Sequence, residues 1–63
     1  MGLKIGDRVV FKGEKIRGAY PQGKIVVVEK NRWDAITNYF VILDTGMYVQ
    51  FKPHSLSWHK LDE

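Results

Sequence analysis

NYFVILDTGMYVQF, residues 38–51, contains two apolar runs that are rich in β-branched and aromatic residues and are separated by a short polar turn. Such runs favour strands. The tripeptide Asp44-Thr45-Gly46 is a typical hairpin connection, in which the glycine takes the left-handed region as a bulge. Pro53 cannot donate to a ladder, so the second strand is predicted to end just before it. The stretch therefore predicts an antiparallel hairpin.

Three other stretches have the composition of strands. Residues 7–12 (DRVVFK) lie between two glycines, and residues 57–61 (SWHKL) form a last short strand. Residues 23–31 (GKIVVVEKN) contain a β-branched run typical of a strand that is buried on both faces or bent through a corner. Helical periodicity is not sustained anywhere, since the best candidate, residues 31–37, is too short to be stable alone. Together these stretches predict an all-β fold, a small antiparallel barrel or sandwich, with strands at residues 7–12, 23–31, 38–43, 47–51 and 57–61.

Length and composition set the class of protein. A chain of 63 residues is expected to form one domain, residues 1–63. Hydrophobic residues at 44% and charged residues at 27% are typical of a globular domain rather than a disordered one. The sequence shows no apolar run of about 18 residues and no long apolar signal-peptide core. Because it also has no cysteine, we expect a cytoplasmic protein without disulfides, membrane contacts or cofactors.

The first two strands resemble a known motif. GDRVVFKG at residues 6–13 and GKIVVV at residues 23–28 resemble the KOW motif, a strand–loop–strand element of ribosomal proteins and transcription-elongation factors. The residues that fit its glycine, aspartate and apolar positions are Gly6, Asp7, Val9, Phe11, Gly23, Ile25 and Val28. Glycine at position 23 is expected where the second strand leaves the loop beneath the packed first strand, since a side chain would leave no room there.

The remainder of the chain extends the resemblance to a fold. FVILDTGMYVQFKPHSL, residues 40–56, is similar to the distal hairpin and short turn of SH3-like barrels. Similar patterns occur in Tudor-like domains and in small subunits of photosynthetic and nitrile-hydrating complexes, where the barrel binds protein. The resemblance implies an SH3-like barrel of five antiparallel strands with a binding role, whose ligand is nucleic acid or protein.

Residues 13–22 (GEKIRGAYPQ) form the one long connection between predicted strands, and long loops in small domains are often functional. Cations position a phosphate backbone and an aromatic ring stacks a base, as in sites for looped or single-stranded RNA. The alternative is a solvated loop that keeps the domain soluble. The net charge of +3 and the pI near 9.4 are compatible with a polyanionic partner without requiring one. The residues concerned are Lys12, Lys15, Arg17, Tyr20 and Lys24.

Two tryptophans add candidate contacts. Arg32 and Trp33 lie in residues 31–35, a loop that faces the long first loop across the ligand groove in SH3-like domains. An exposed tryptophan beside an arginine is typical of a binding hot spot, and the alternative is that Trp33 caps the barrel mouth. Trp58 faces outward if Leu56 and Leu61 fill the core. We therefore predict an RNA or single-stranded DNA site in a groove between residues 13–22 and 31–35, formed by Lys15, Arg17, Tyr20, Lys24, Arg32, Trp33 and Trp58.

The central hairpin is apolar on both faces, although only one face of a small barrel is interior. Alternation places Tyr39, Val41 and Leu43 on one face and Phe40 and Ile42 on the other. The outer face is covered either by a second copy or partner protein, or by the termini of the chain itself, at Leu3, Ile5 and Leu61. This pattern supports an alternative function as a protein-interaction module or an accessory subunit of a larger complex.

The sequence has no pattern of catalytic or metal-binding residues. His54 and His59 do not have the spacing of a zinc site. Ser55 and Ser57 lie close to these histidines in sequence, but a catalytic triad depends on spatial arrangement. The glycines of the first loop are not followed by a helix, as a phosphate-binding loop requires. We therefore predict that the protein is not an enzyme and binds no metal.

Overall fold

The computed structural model describes residues 2–61, and its regular structure is entirely β. All paired strands are antiparallel, in the order β4-β3-β2-β1-β5, and no helix is present within residues 2–61. The prediction of an all-β fold with five antiparallel strands is confirmed. The strands are β1 (Arg8–Phe11), β2 (Gln22–Lys30), β3 (Ile36–Leu43), β4 (Tyr48–Phe51) and β5 (Trp58–Lys60).

The sheet is curled into a half-barrel. β4 and β5 are its two edges, yet Phe51 of β4 stacks on Trp58 of β5 with ring centroids 4.7 Å apart and planes 9° apart. Trp58 also contacts Phe11, and Phe51 contacts Tyr39, each at 5.1 Å between centroids. Burying this row of rings draws the two edges together. The predicted closed barrel is not confirmed, because within residues 2–61 these edges meet through side chains rather than through backbone pairing.

The core lies on the inner face of the half-barrel. Its buried members come from β1 to β4, and partly buried side chains that include Leu3 and Trp58 pack against them. Burying each large apolar side chain stabilises the fold by about 1.5–3 kcal/mol. The predicted division of β3 is confirmed, since Tyr39 and Val41 are buried in this core and Phe40 between them points to the outer face. The buried core residues are Val9, Ile25, Tyr39, Val41 and Phe51.

β2 is bent rather than buried on both faces. Its pairing with β3 shifts register between Ile25 and Val27, and again between Glu29 and Lys30. An extra residue in one strand of an antiparallel pair bends that strand. Val27 is 47% exposed, so the outer face of β2 is not covered. Of the two predicted alternatives for the β-branched run, the bent strand is confirmed.

Gly23 marks a close approach of two backbones. It is buried at the start of β2, where a Cβ atom would overlap the carbonyl oxygen of Ile42 and the Cγ1 atom of Val41. The prediction that this position has no room for a side chain is confirmed. The strand that crowds it is β3, however, and not the first strand as expected.

Candidate binding cleft

The long first loop contains a small hairpin of its own. Ile16 and Ala19 exchange two backbone hydrogen bonds, of 2.8 and 3.2 Å, and Arg17 and Gly18 form the tip with φ of 53° and 81°. Two successive residues with positive φ are what a type I′ turn requires. This small hairpin therefore fixes the backbone on both sides of its tip, at Ile16 before it and at Ala19 and Tyr20 after it. Arg-Gly is not among the usual signals for this turn, which is why the sequence did not predict it.

The turn between β3 and β4 lies beside this loop. Gly46 has φ of 93° and its N–H donates to the carbonyl of Leu43 at 2.8 Å, as predicted for the bulge of a three-residue connection. The N–H of Asp44 donates to the carbonyl of Gln22 at 2.9 Å, which links the turn to the start of β2. The turn is thus held against the end of the first loop.

A side-chain pair fixes the same turn to β1. The Arg8 Nη2 atom donates to Asp44 Oδ2 at 2.8 Å. This hydrogen bond, together with the positive charge of Arg8, holds the pKa of Asp44 below its ordinary value of 3.8 against the opposing effect of desolvation. Asp44 is therefore charged at neutral pH, and Arg8 compensates its charge.

An apolar cleft of about 620 Å³ lies between the first loop and the β3–β4 turn. Its walls are open to solvent, since Ile16 is 60% and Met47 is 62% exposed. Most surfaces of a small domain are polar or interrupted by charge, so a concave apolar surface of this size is a candidate binding site. The apolar lining residues are Ile16, Ala19, Tyr20, Pro21, Leu43 and Met47, and the polar ones are Arg17, Gln22, Asp44 and Thr45.

Positive charge is concentrated at this end of the molecule. Residues 8–24 and the turn at Asp44 contain five of the ten lysines and arginines but only two of the seven acids, Glu14 and Asp44. Five cations against two acids give this part of the sequence a formal charge of +3. Lys15 places its Nζ atom 5.3 Å from the centre of the Tyr20 ring. Within residues 2–61, neither Lys15 nor Arg17 forms an ion pair.

The structure brings together only part of the predicted site. Arg17 and Tyr20 line the cleft, and Lys15 lies over the tyrosine ring. Lys24 is exposed on the outer face of β2, where it is paired with Ile42 of β3, and does not line the cleft. The three remaining residues, Arg32, Trp33 and Trp58, lie elsewhere.

Arg32 and Trp33 lie at the opposite end of β2. The first loop enters β2 at Gln22 and the 31–35 loop leaves it after Lys30, so the nine residues of the strand separate them by roughly 25 Å. The predicted groove between residues 13–22 and 31–35 is wrong for this reason. The partner of the first loop in the cleft is the β3–β4 turn.

The 31–35 loop presents Trp33 to solvent. The Oδ1 atom of Asn31 accepts hydrogen bonds from the N–H groups of Trp33 at 2.9 Å and Ala35 at 3.1 Å, and Asp34 has φ of 65°. Trp33 is 71% exposed, with the Arg32 guanidinium 4.4 Å from its ring centre. Of the two predicted alternatives, Trp33 is therefore the exposed residue and does not cap the barrel mouth.

Trp58 faces the core rather than outward as predicted. Its predicted outward orientation depended on Leu56 filling the core, but Leu56 is 90% exposed in the turn before β5. Trp58 packs instead against the core, where it stacks on Phe51 and contacts Phe11 with the ring planes tilted by 44°. Trp58 offers more apolar area than Leu56, and its position opposite Phe11 in the β1–β5 ladder points it inward.

The cleft also includes residues that the sequence analysis did not select. Ile16 and Met47 form its two exposed walls, and Leu43 lies between them at the end of β3. A signal for Ile16 was present, because it is an isolated large apolar residue in the polar segment GEKIRG. Met47 gave none, since it reads equally well as the first residue of a strand.

Other kinds of site are not seen in the described part of the chain. Within residues 2–61, histidine and acidic side chains do not form a group of three or more that could hold a metal ion. The same residues contain no helix with the length and apolar character needed to cross a membrane. No protein-family model, curated protein or solved structure matches this chain.

Proposed function

We propose that this chain is a non-catalytic SH3-like binding module whose cleft takes an apolar segment of a partner protein that also carries acidic residues. The observation that carries this proposal is the open apolar cleft between the first loop and the β3–β4 turn. The strand order, the bent β2 and the three-residue distal turn are compatible with an SH3-like fold and support its assignment.

The openness of the cleft favours a polypeptide over a small molecule. Small-molecule sites bury most of the ligand surface. Here both main walls, Ile16 and Met47, remain more than half exposed. Such walls contact one side of an extended chain and leave its other side in solvent. Apolar side chains that project from a peptide would displace water from these walls, which is the main favourable term in such binding.

The charge around the cleft favours an acidic partner. Lys15 and Arg17 lie beside the cleft without ion-pair partners within residues 2–61, whereas the one acid in its lining, Asp44, is compensated by Arg8. Carboxylates that flank the apolar side chains of the partner would meet uncompensated cations. Complementary charge raises the association rate and excludes basic partners.

A second candidate ligand is single-stranded nucleic acid, favoured by the formal charge of +3 in residues 8–24 and Asp44 together with Tyr20 in the cleft. The lining weighs against it. Bases stack on ring faces, and Tyr20 is the one aromatic side chain in the cleft, with Lys15 already over its ring. The other cleft walls are aliphatic.

The test is a titration of ¹⁵N-labelled protein followed by NMR. The probes are a short peptide of leucine and aspartate, its counterpart with lysine in place of aspartate, and oligo-dT and oligo-U. We expect the acidic peptide to move the amide signals of Ile16, Tyr20 and Met47, and the lysine peptide to leave them unchanged.

Two matched variants complete the test. Met47→Glu places a charge on the cleft wall and should abolish the shifts, whereas Leu56→Glu changes a still more exposed residue outside the cleft and should not. Shifts of the cleft signals with the oligonucleotides alone would replace the proposal with the nucleic-acid candidate. An unresponsive cleft with all four probes would overturn both.

A further inference from the structure

The outer face of the β2–β3–β4 hairpins is a second apolar surface, separate from the cleft. Cross-strand partners share a face, and the pairs Val27–Phe40 and Ile42–Tyr48 place four large side chains together. Val27 is 47% and Tyr48 is 69% exposed, and Phe40 and Ile42 are half-buried. We use the term outer face for Val27, Phe40, Ile42 and Tyr48.

Within residues 2–61, the segment before β1 does not cover this face. Leu3 packs against the inner core, and Ile5 is 66% exposed near Val28 and Ile36. The N–H of Leu61 donates to the carbonyl of Arg8, so Leu61 lies beside β1, on the other side of β2 from β3. The predicted alternative, in which Leu3, Ile5 and Leu61 cover the face, is therefore wrong for Leu3 and Ile5. Val27 and Tyr48 remain exposed on this face.

Opposite charges stand at the two ends of the same face. Lys24 is paired with Ile42 at one end, and Glu29 is paired with Asn38 at the other. The Nδ2 atom of Asn38 donates to Glu29 Oε1 at 3.1 Å, which holds that carboxylate beside its cross-strand neighbour. Within residues 2–61, Lys24 has no ion-pair partner. Lys24 and Glu29 are roughly 15 Å apart along β2, with Val27 between them.

This arrangement is complementary to itself. Two copies can stack through this face about a two-fold axis that lies between the sheets, perpendicular to the strands, and passes over β2 near Val27. This axis reverses the strand direction of the second copy relative to the first. Lys24 of one copy then meets Glu29 of the other, twice, while Phe40 faces its own equivalent. Aligned packing of two sheets through apolar inner faces is a common arrangement, and a two-fold contact closes without forming a fibre.

We infer that the outer face joins two copies of this chain into a symmetric dimer, with Lys24 and Glu29 setting its register. The charge complementarity within one face selects a second copy over an unrelated protein. The inference does not depend on the proposed function, because Lys24, Val27 and Glu29 lie outside the cleft.

The test is sedimentation equilibrium of the full chain and its charge variants over a range of concentrations. We expect the wild-type chain to form dimers. Lys24→Glu and Glu29→Lys should each raise the dissociation constant about tenfold, because each creates two like-charge contacts across the axis. The double variant K24E/E29K restores opposite charges and should recover most of the affinity.

Further variants test the apolar part of the face. Val27→Asp should raise the dissociation constant about 100-fold, since symmetry counts each change twice. Leu56→Asp, at an exposed site outside the face, is the control and should leave the mass unchanged. A wild-type chain that is monomeric at every concentration would overturn the inference, as would a double variant no better associated than the single ones.

Discussion

The two ends of β2 are built in different ways. At the cleft end, the first loop, β1, β2 and the β3–β4 turn are joined by contacts distant in sequence, such as the Arg8–Asp44 pair and the bond from Asp44 to the Gln22 carbonyl. At the other end, the side chain of Asn31 organises the loop through two bonds to residues within four positions of it.

This difference separates the two candidate surfaces by their dependence on the fold. The cleft exists only when the whole sheet is assembled, because its two walls come from segments more than twenty residues apart. The exposed Trp33 is presented by a loop that needs little beyond its own hairpin. A change at one end should therefore leave the other intact, and a change in the sheet between them should affect both.

The largest effect is expected from Gly23→Ala, which acts at the base of the cleft. The added Cβ overlaps the backbone of β3, so strands must move apart, and we expect a loss of about 3 kcal/mol in the free energy of unfolding. A domain of this size has only about 3–5 kcal/mol in all. Urea denaturation should show a chain that is largely unfolded or close to it.

Gly2→Ala is the matched control, since a Cβ at Gly2 has no neighbour within 4 Å. It should leave the midpoint of denaturation unchanged. A stable Gly23→Ala variant would show that β2 and β3 are not packed as closely as described, and the cleft between the first loop and the turn would lose its base.

What could be predicted from the sequence follows the same division. The β3–β4 turn was predicted correctly, including the left-handed conformation of its glycine, and an exposed Trp33 was one of two predicted alternatives. Both features depend on interactions between residues close in sequence. The cleft was not predicted, because the segment facing the first loop is chosen by strand order and not by any local pattern. Trp58 was predicted on the wrong face for a related reason. Alternation assigns two faces to β5 but does not say which of them is the inner one. The rings of Phe11 and Phe51, which are distant in sequence, pack against Trp58 and so place it rather than Leu56 in the core.

Asn31→Ala tests the local end. It removes the acceptor of two backbone N–H groups that water then solvates, so we expect a loss of about 1 kcal/mol in the free energy of unfolding. The cleft should keep its peptide-induced NMR shifts. Asn31→Asp keeps an acceptor at the same position and should lose less. Cleft signals that change in Asn31→Ala would show that the two ends are coupled.

The tip of the first loop offers a smaller effect. Arg17 has φ of 53°, a region that β-branched residues strongly disfavour and asparagine tolerates. Arg17→Val should therefore destabilise the chain by about 1 kcal/mol and disturb the cleft wall, whereas Arg17→Asn should change stability by less than about 0.5 kcal/mol. Both remove the same charge, so equal denaturation midpoints would show that the I′ turn is absent in solution.

The smallest effect is expected from the pH dependence of the cleft end. Because Arg8 lowers the pKa of Asp44 in the folded state, the charged carboxylate contributes stability above its unfolded pKa, near 3.8, and that contribution disappears as the pH falls through the lowered value. Asp44→Asn should therefore be less stable than wild type at neutral pH and equal to it in strong acid, when urea midpoints are compared across that window. The effect is small because the pair is exposed to solvent. Arg8→Gln removes the cause of the lowered pKa and should flatten the same part of the plot of urea midpoint against pH. If Asp44→Asn keeps the slope of the wild-type plot, the acid sensitivity belongs to other carboxylates. The β3–β4 turn would then be independent of β1.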